Sequence, residues 1–129
     1  NDGRVVSNFI VQALKGDPIT VYGDGSQTRS FCYVDDLLDG FVKLFFKEGV
    51  VEPINLGNPE PINVLELASE IIELTSSNSK IELHDLPEDD PKQREPRIDK
   101  ARELLGWIPS TQRRLGIIKT IDYFKRIVL

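Results

Sequence analysis

The sequence predicts an α/β fold, more narrowly an α+β arrangement in which short strands are set among about five helices. Three observations carry this expectation. Apolar residues recur at helical spacing in several separate stretches, and short β-rich runs bounded by glycine or proline lie between them. Neither an internal repeat nor a domain-scale linker divides the chain, so residues 1–129 read as a single region.

Val6, Phe9, Ile10, Ala13 and Leu14 follow one helical face, and Gly16 with Pro18 supplies the stop. Ile19 to Tyr22 and Phe31 to Val34 read as two strands joined by the glycine-bearing turn Gly23-Asp24-Gly25-Ser26-Gln27. Asp35 or Asp36 is placed to cap a second helix, whose buried stripe is expected to be Leu38, Phe41, Val42 and Phe45, with Gly49 at its end. Pro53 to Leu56 reads as a short strand. Asn63-Val64-Leu65-Glu66 has the cap and third-position carboxylate of a capping box, which opens a helix along Val64, Leu67, Ala68 and Ile71. Thr75 to Ser79 is a polar loop and Ile81 to Leu83 another strand. Prolines at 87, 91 and 96 forbid a regular helix through the charged segment Pro87 to Arg97. Two last helices are expected over Ile98–Leu105 and Leu115–Val128, parted by Gly106, with stripes Ile98, Ala101, Leu105 and Ile117, Ile121, Phe124, Val128.

Composition narrows the function classes. With 40% hydrophobic and 29% charged residues, 129 residues have the arithmetic of one soluble globular unit. A chain of this length hides roughly 65–70% of its unfolded surface, so neither a disulfide nor a structural metal is required. Cys32 is the only cysteine and His84 the only histidine, which excludes an internal disulfide and any thiolate or imidazole cluster within one chain. A reducing compartment is the plain reading. No stretch approaches the ~20 apolar residues of a membrane span, and the opening Asn-Asp-Gly-Arg does not resemble a signal peptide. The formal charge of -5 argues against a protein that neutralises nucleic-acid phosphates, whereas a small anion needs only two or three well-placed arginines.

Several chemistries fail on spacing. Gly23-Asp24-Gly25 is followed by a strand pattern rather than a helix, so it lacks the third glycine and helix N-terminus of a dinucleotide fingerprint. His84 sits in a charged stretch and reads as an ordinary surface residue. Cys32 reads as a small buried hydrophobe rather than a nucleophile. Glu88-Asp89-Asp90 lacks the alternating spacing of a calcium loop and reads as solvated. No catalytic residue and no metal ligand is assigned.

Three blocks point the same way: Asn1 to Phe9, Thr20 to Phe31 continuing through Tyr33-Val34-Asp35-Asp36, and Asn55-Leu56-Gly57-Asn58-Pro59. Together they resemble the C-terminal part of the NAD-dependent nucleotide-sugar epimerase/dehydratase family of extended short-chain dehydrogenases. Val21-Tyr22-Gly23-Asp24-Gly25 with Arg29 marks the broad family. The opening block and Asp89 to Pro96, followed by Leu104-Leu105-Gly106-Trp107, are most similar to the branch that decarboxylates UDP-glucuronate to UDP-xylose and CO2.

The resemblance implies a substrate-binding portion whose partner, an N-terminal Rossmann core carrying NAD, is missing from these residues. It also implies a Tyr-x-x-x-Lys pair that is absent here, because Ser26, Leu37 and Ile127 stand four residues after Tyr22, Tyr33 and Tyr123. The chain alone is therefore expected not to turn over substrate. Arg29 is implied at the pyrophosphate, where a guanidinium fork suits two phosphate oxygens, against the alternative of a surface ion pair. Val21 and Tyr22 are implied beside the uracil, although Tyr22 also suits half-buried core. Val5 is implied near the bound nucleotide and Arg4 on the cofactor side of the cleft. Asn55 and Arg94 are implied at the diphosphate or ribose; Asn55 also suits a turn cap, and Arg94 one charge among many in a loop. Arg97 departs from the branch pattern, which carries aspartate there. The resemblance further implies a cytoplasmic setting, or the Golgi lumen if an upstream part carries a membrane anchor, and leaves a homo-oligomer open. A related 4-epimerase or 4,6-dehydratase remains an alternative, as does a non-catalytic UDP- or protein-binding module.

Overall fold

A computed structural model describes residues 4–86 and 96–129. In chain order the elements are α1 (Val5–Lys15), β1 (Ile19–Tyr22), β2 (Thr28–Arg29), α2 (Val34–Phe46), β3 (Ile62–Asn63), α3 (Val64–Thr75), β4 (Ile81–His84), α4 (Asp99–Leu105) and α5 (Arg113–Val128). Five helices and short strands match the predicted class. The strands form two separate pairs: β1 runs parallel to β4, with Ile19 opposite Ile81 and Tyr22 opposite His84, and β2 runs antiparallel to β3.

The main core lies where α1, α3 and α5 pack around β1. Ile10, Ile19, Val21, Leu67 and Ile71 are fully buried there, and Ile117 and Ile121 close it from α5. A second cluster gathers Cys32, Ile54 and Leu56 around Trp107, Ile98 and Ala101. Helix ends follow local chemistry. Gly16 adopts φ 74°, where a residue without Cβ is unstrained, and its N–H reaches the Ala13 carbonyl. Asn63 caps α3 by accepting from the Glu66 N–H at 2.7 Å. The polar loop after α3 also helps to hold the fold together. Its Ser77 Oγ donates to the Ala13 carbonyl at 2.7 Å, satisfying an end of α1 from 64 residues away.

Four expectations are corrected. Phe31 to Val34 is not a strand, and the glycine turn is not a hairpin. Its main-chain groups go elsewhere: the Gly23 N–H to His84, and the Gly25 and Gln27 carbonyls to Leu65 and Val64 at the start of α3. With those groups spent on β4 and α3, no ladder joins β1 to β2. Pro53 to Leu56 forms no strand among the described residues. Neither Asp35 nor Asp36 caps α2, since Tyr33 holds that position without a side-chain bond, and the helix stops at Phe46 before Gly49. Last, the α2 stripe is exposed rather than buried, with Phe41 at 57% and Phe45 at 82%. The buried residues of α2 are Asp36 and Gly40.

Asp36 is buried because its carboxylate is satisfied. It accepts from Ser110 Oγ at 2.9 Å, from the Thr111 N–H at 2.8 Å and from Thr111 Oγ1 at 3.1 Å. Burial alone raises its pKa, but the Thr111 and Ser110 hydrogen bonds outweigh that and hold the carboxyl below its ordinary value. A depressed folded pKa stabilises the fold above the unfolded value of about 3.9, and the contribution drains away as pH falls through the folded value. Urea midpoints measured from about pH 6 down to about pH 2.5 should therefore drop steeply at the acid end. Asp36→Asn should be less stable near neutrality and lack that part of the acid slope; an unchanged slope would remove Asp36 as its source.

Candidate functional site

The outward face of β1 and the exposed side of α1 enclose a cleft of about 560 Å³. Alternation along β1 sends Ile19 and Val21 into the core and Thr20 and Tyr22 outward. Facing them across the cleft stand Arg4, Asn8 and Gln12. Gln12 is locked, its Nε2 donating to Thr20 Oγ1 at 3.0 Å and its Oε1 accepting from the Thr20 N–H at 3.2 Å. The Tyr22 ring lies tilted against His84, centroids 5.8 Å apart. His84 Nε2 in turn sits 2.9 Å from a Glu82 oxygen, as a surface histidine does.

A larger cleft of about 950 Å³ opens between the start of α2, residues 55–58 and α5. Asn58 ties two of its walls together by donating to the Phe31 carbonyl at 3.1 Å. Gly116 lets α5 approach closely, because a Cβ there would lie 3.2 Å from that of Tyr33. Lys119 stands 5.3 Å above the Tyr33 ring centroid. Arg113 pairs with Glu70 at 3.1 Å, while its Nε and the second Glu70 oxygen are buried with no hydrogen-bond partner among the described residues, as is Ser30 Oγ. The cleft wall is thus largely apolar with a few fixed polar groups, the usual character of a small-molecule site.

The structure brings some predicted residues together and separates others. Arg4 and Tyr22 share the smaller cleft. Val21 lines neither this cleft nor the larger one, its side chain being wholly buried. Val5 begins α1 and packs against the core between the clefts, and Phe124 lines both. Asn55 lies in the larger cleft. Arg29 lines neither of these two clefts; on β2, its Nη1 donates to the Thr28 carbonyl at 2.7 Å. Arg94 and the acidic run Glu88-Asp89-Asp90 lie outside the described residues. Sequence reasoning did not single out Asn8, Gln12, Ser30, Asn58, Arg113 or Lys119. Gly116, a glycine inside a helix, is a signal of close approach that sequence reasoning also passed over.

The residues present do not form a phosphate cradle for NAD. The Gly23–Gly25 turn leads into β2 rather than a helix, and the space its glycines leave is taken. A Cβ at Gly25 would lie 2.8 Å from Leu65 Cβ, and one at Gly23 would lie 3.3 Å from Leu86. Among the described residues no group of three or more His, Cys, Asp or Glu could hold a metal, and no helix is long and apolar enough to cross a membrane.

Comparison with known proteins supplies a frame for this geometry. Residues 1–57 match the NAD dependent epimerase/dehydratase family. The chain is 52% identical over 126 residues to UDP-glucuronic acid decarboxylase 1 of Danio rerio, covering 98% of this chain and 30% of that protein. It is 50% identical over 128 residues to UDP-glucuronic acid decarboxylase 4 of Arabidopsis thaliana, covering 99% and 29%. It therefore spans about three tenths of the length of these curated relatives. Among solved structures, UDP-glucose 4-epimerase from Thermotoga maritima with UDP-glucose superposes with a TM-score of 0.94 at 26% identity, covering 100% of this chain and 41% of that one. UDP-glucuronic acid 4-epimerase from Bacillus cereus, in complex with UDP-glucuronic acid and NAD, superposes with a TM-score of 0.90 at 29% identity, covering 97% and 40%.

Within the larger cleft, burial pushes the Cys32 thiol up from its ordinary range, and the Asp36 carboxylate adds to the rise. A thiol held protonated alkylates slowly. Labelling of the native chain with iodoacetamide at about pH 8 should therefore run at least ~10-fold slower than labelling in urea. Equal rates would mean that the thiolate forms freely in the cleft.

Proposed function

We propose that the chain is a member of the NAD dependent epimerase/dehydratase family, whose model residues 1–57 match, and within it the C-terminal, UDP-sugar-holding part of a longer UDP-glucuronate decarboxylase. The observation that carries the reading is identity near 50% along almost the whole chain to proteins of that name. The 4-epimerases share the fold at lower identity, so fold by itself does not separate the two chemistries.

In this reading the chain's work is binding and orientation. The smaller cleft offers Tyr22 as a flat wall, with the β1 main chain beside it, for a base edge. Arg4 stands at the start of α1, where the helix end also favours an anion. Arg29, one strand further on, is assigned to the diphosphate, as is Arg94. Asn55, in the larger cleft, is assigned to the diphosphate or ribose. Holding the nucleotide at one end fixes where the sugar ring lies, which converts binding energy into orientation at the reacting carbon. The redox chemistry of an NAD-dependent decarboxylase belongs to the part of the longer protein outside these residues, and no step of it is assigned to groups here. Net, such an enzyme converts UDP-glucuronate to UDP-xylose and CO2.

Titration of the chain with UDP by calorimetry should give saturable heat at millimolar ligand. Arg29→Ala should weaken that binding by about 1.5–3 kcal/mol, roughly tenfold or more. In the longer protein the same substitution should raise KM for UDP-glucuronate by a similar factor. An unchanged KM would refute the diphosphate assignment.

A further inference from the structure

The β2–β3 ladder ends at a proline. Thr28 stands opposite Asn63 and Arg29 opposite Ile62, and the same register carries Gln27 to Val64, whose N–H donates to the Gln27 carbonyl at 3.0 Å. Continued the other way, it sets Ser30 against Pro61 and Phe31 against Glu60. Pro61 has no N–H to offer and a fixed φ, so regular pairing stops there. Hydrogen-bonded pairs in an antiparallel ladder recur at every second residue, which makes the Phe31 carbonyl the next acceptor in line after Gln27 and Arg29.

That acceptor is served by a side chain. The Glu60 N–H is turned back onto Asn58 Oδ1 at 3.0 Å, and the Phe31 carbonyl accepts from Asn58 Nδ2 at 3.1 Å. The two contacts fix the orientation of the amide, because the N–H must meet its oxygen and the carbonyl its nitrogen. Asn58 thus carries the ladder one step past the proline.

Arg29 lies midway along the stretch held in this way, two residues after Gln27 and two before Phe31. Phe31 itself packs against the main core and Cys32 against the Trp107 cluster, so the fold has anchors here that do not depend on the amide. Asn58 also closes the segment that begins at the exposed Asn55, and Gly57 between them presses on Pro96, where a Cβ would lie 2.7 Å from Pro96 Cγ. One amide therefore links the strand that carries Arg29 to the loop that carries Asn55.

We propose that Asn58 is a positioning residue for diphosphate binding: its amide holds Arg29 and Asn55 at a fixed separation and acts on the ligand through them. This rests on the functional reading above, which assigns Arg29 to the diphosphate and Asn55 to the diphosphate or ribose. A guanidinium on a strand pinned at both ends is ordered before the ligand arrives; on a strand frayed at one end, that ordering is charged against binding.

The test compares the unaltered chain with Asn58→Ser, which keeps an oxygen for the Glu60 N–H, adds no charge and is too short to reach the Phe31 carbonyl. UDP affinity, read by calorimetry, should fall ~5- to 10-fold, the range that one lost neutral hydrogen bond supports. Uridine lacks the phosphates, and its affinity, read by broadening of the ligand lines in NMR, should stay within about twofold. The preference for UDP over uridine therefore shrinks, which a merely structural role would not cause. In the longer protein the same substitution should raise KM for UDP-glucuronate and leave kcat unchanged; a lower kcat at unchanged KM would overturn the proposal. UDP and uridine weakened alike, or a variant that no longer folds, would make Asn58 a general clamp and overturn it too. No UDP binding by the unaltered chain would fail the functional reading, and this assignment with it, whereas UDP binding that Asn58→Ser leaves intact would fail this assignment alone.

Discussion

Asp36 accepts three hydrogen bonds from Ser110 and Thr111 through its carboxylate and one from the Trp107 indole through its carbonyl, and α2 takes its position from that junction. It joins the first turn of α2 to the loop that launches α5, residues 74 and 75 positions apart. A buried carboxylate is costly unless every oxygen is partnered, and here both are. Once α2 is pinned, Tyr33 at its N-terminus is fixed against Gly116, and α5 can close over both clefts with Phe124 between them. The larger cleft is thus a consequence of a clasp that does not line it.

The smaller cleft depends on a different constraint, the alternation of β1. Ile19 and Val21 must face α1 and α3 to complete the core, which leaves Thr20 and Tyr22 facing solvent beside α1. Gln12 then fills the amide and hydroxyl requirements of Thr20, and the serine loop after α3 caps the far end of α1. Gln12 reaches Thr20 from eight residues away, and Ser77 reaches the Ala13 carbonyl from 64. The cleft floor is accordingly built before any ligand arrives, and little ordering is left to oppose binding.

Elements with local causes were legible in the sequence. Gly16, Gly106 and Asn63 stop or start helices through their own backbone freedom or their own side chains, and they behave as read. What failed depended on distant partners. Periodicity shows that α2 has an apolar face, but not that Ser110, Thr111 and Trp107 make its polar face the better one to bury. Phe31 to Val34 has β-rich residues, but the main-chain groups of the preceding turn are already bound to β4 and α3. Site residues divide in the same way. Arg4, Val21 and Tyr22 are named by the family resemblance rather than by a local pattern, and the burial of the Val21 side chain is settled only by the core. Arg113 and Lys119 enter the larger cleft because α5 returns to Tyr33, which no local pattern announces.

The charge distribution reconciles an acidic chain with an anionic ligand. A net charge of -5 repels a polyanion at long range, but a single diphosphate is felt within about a Debye length, roughly 8 Å at physiological salt. Over that distance Arg4 in one cleft, and Arg113 and Lys119 in the other, matter more than the sum over the surface. Arg113 is already engaged by Glu70 and Lys119 by the Tyr33 ring, so neither is a bare charge awaiting an anion. Arg4 lies at the start of α1 beside the Tyr22 ring, so the helix end adds its positive potential to the smaller cleft. Attraction of this kind is local, so it is compatible with a net negative charge over the whole chain.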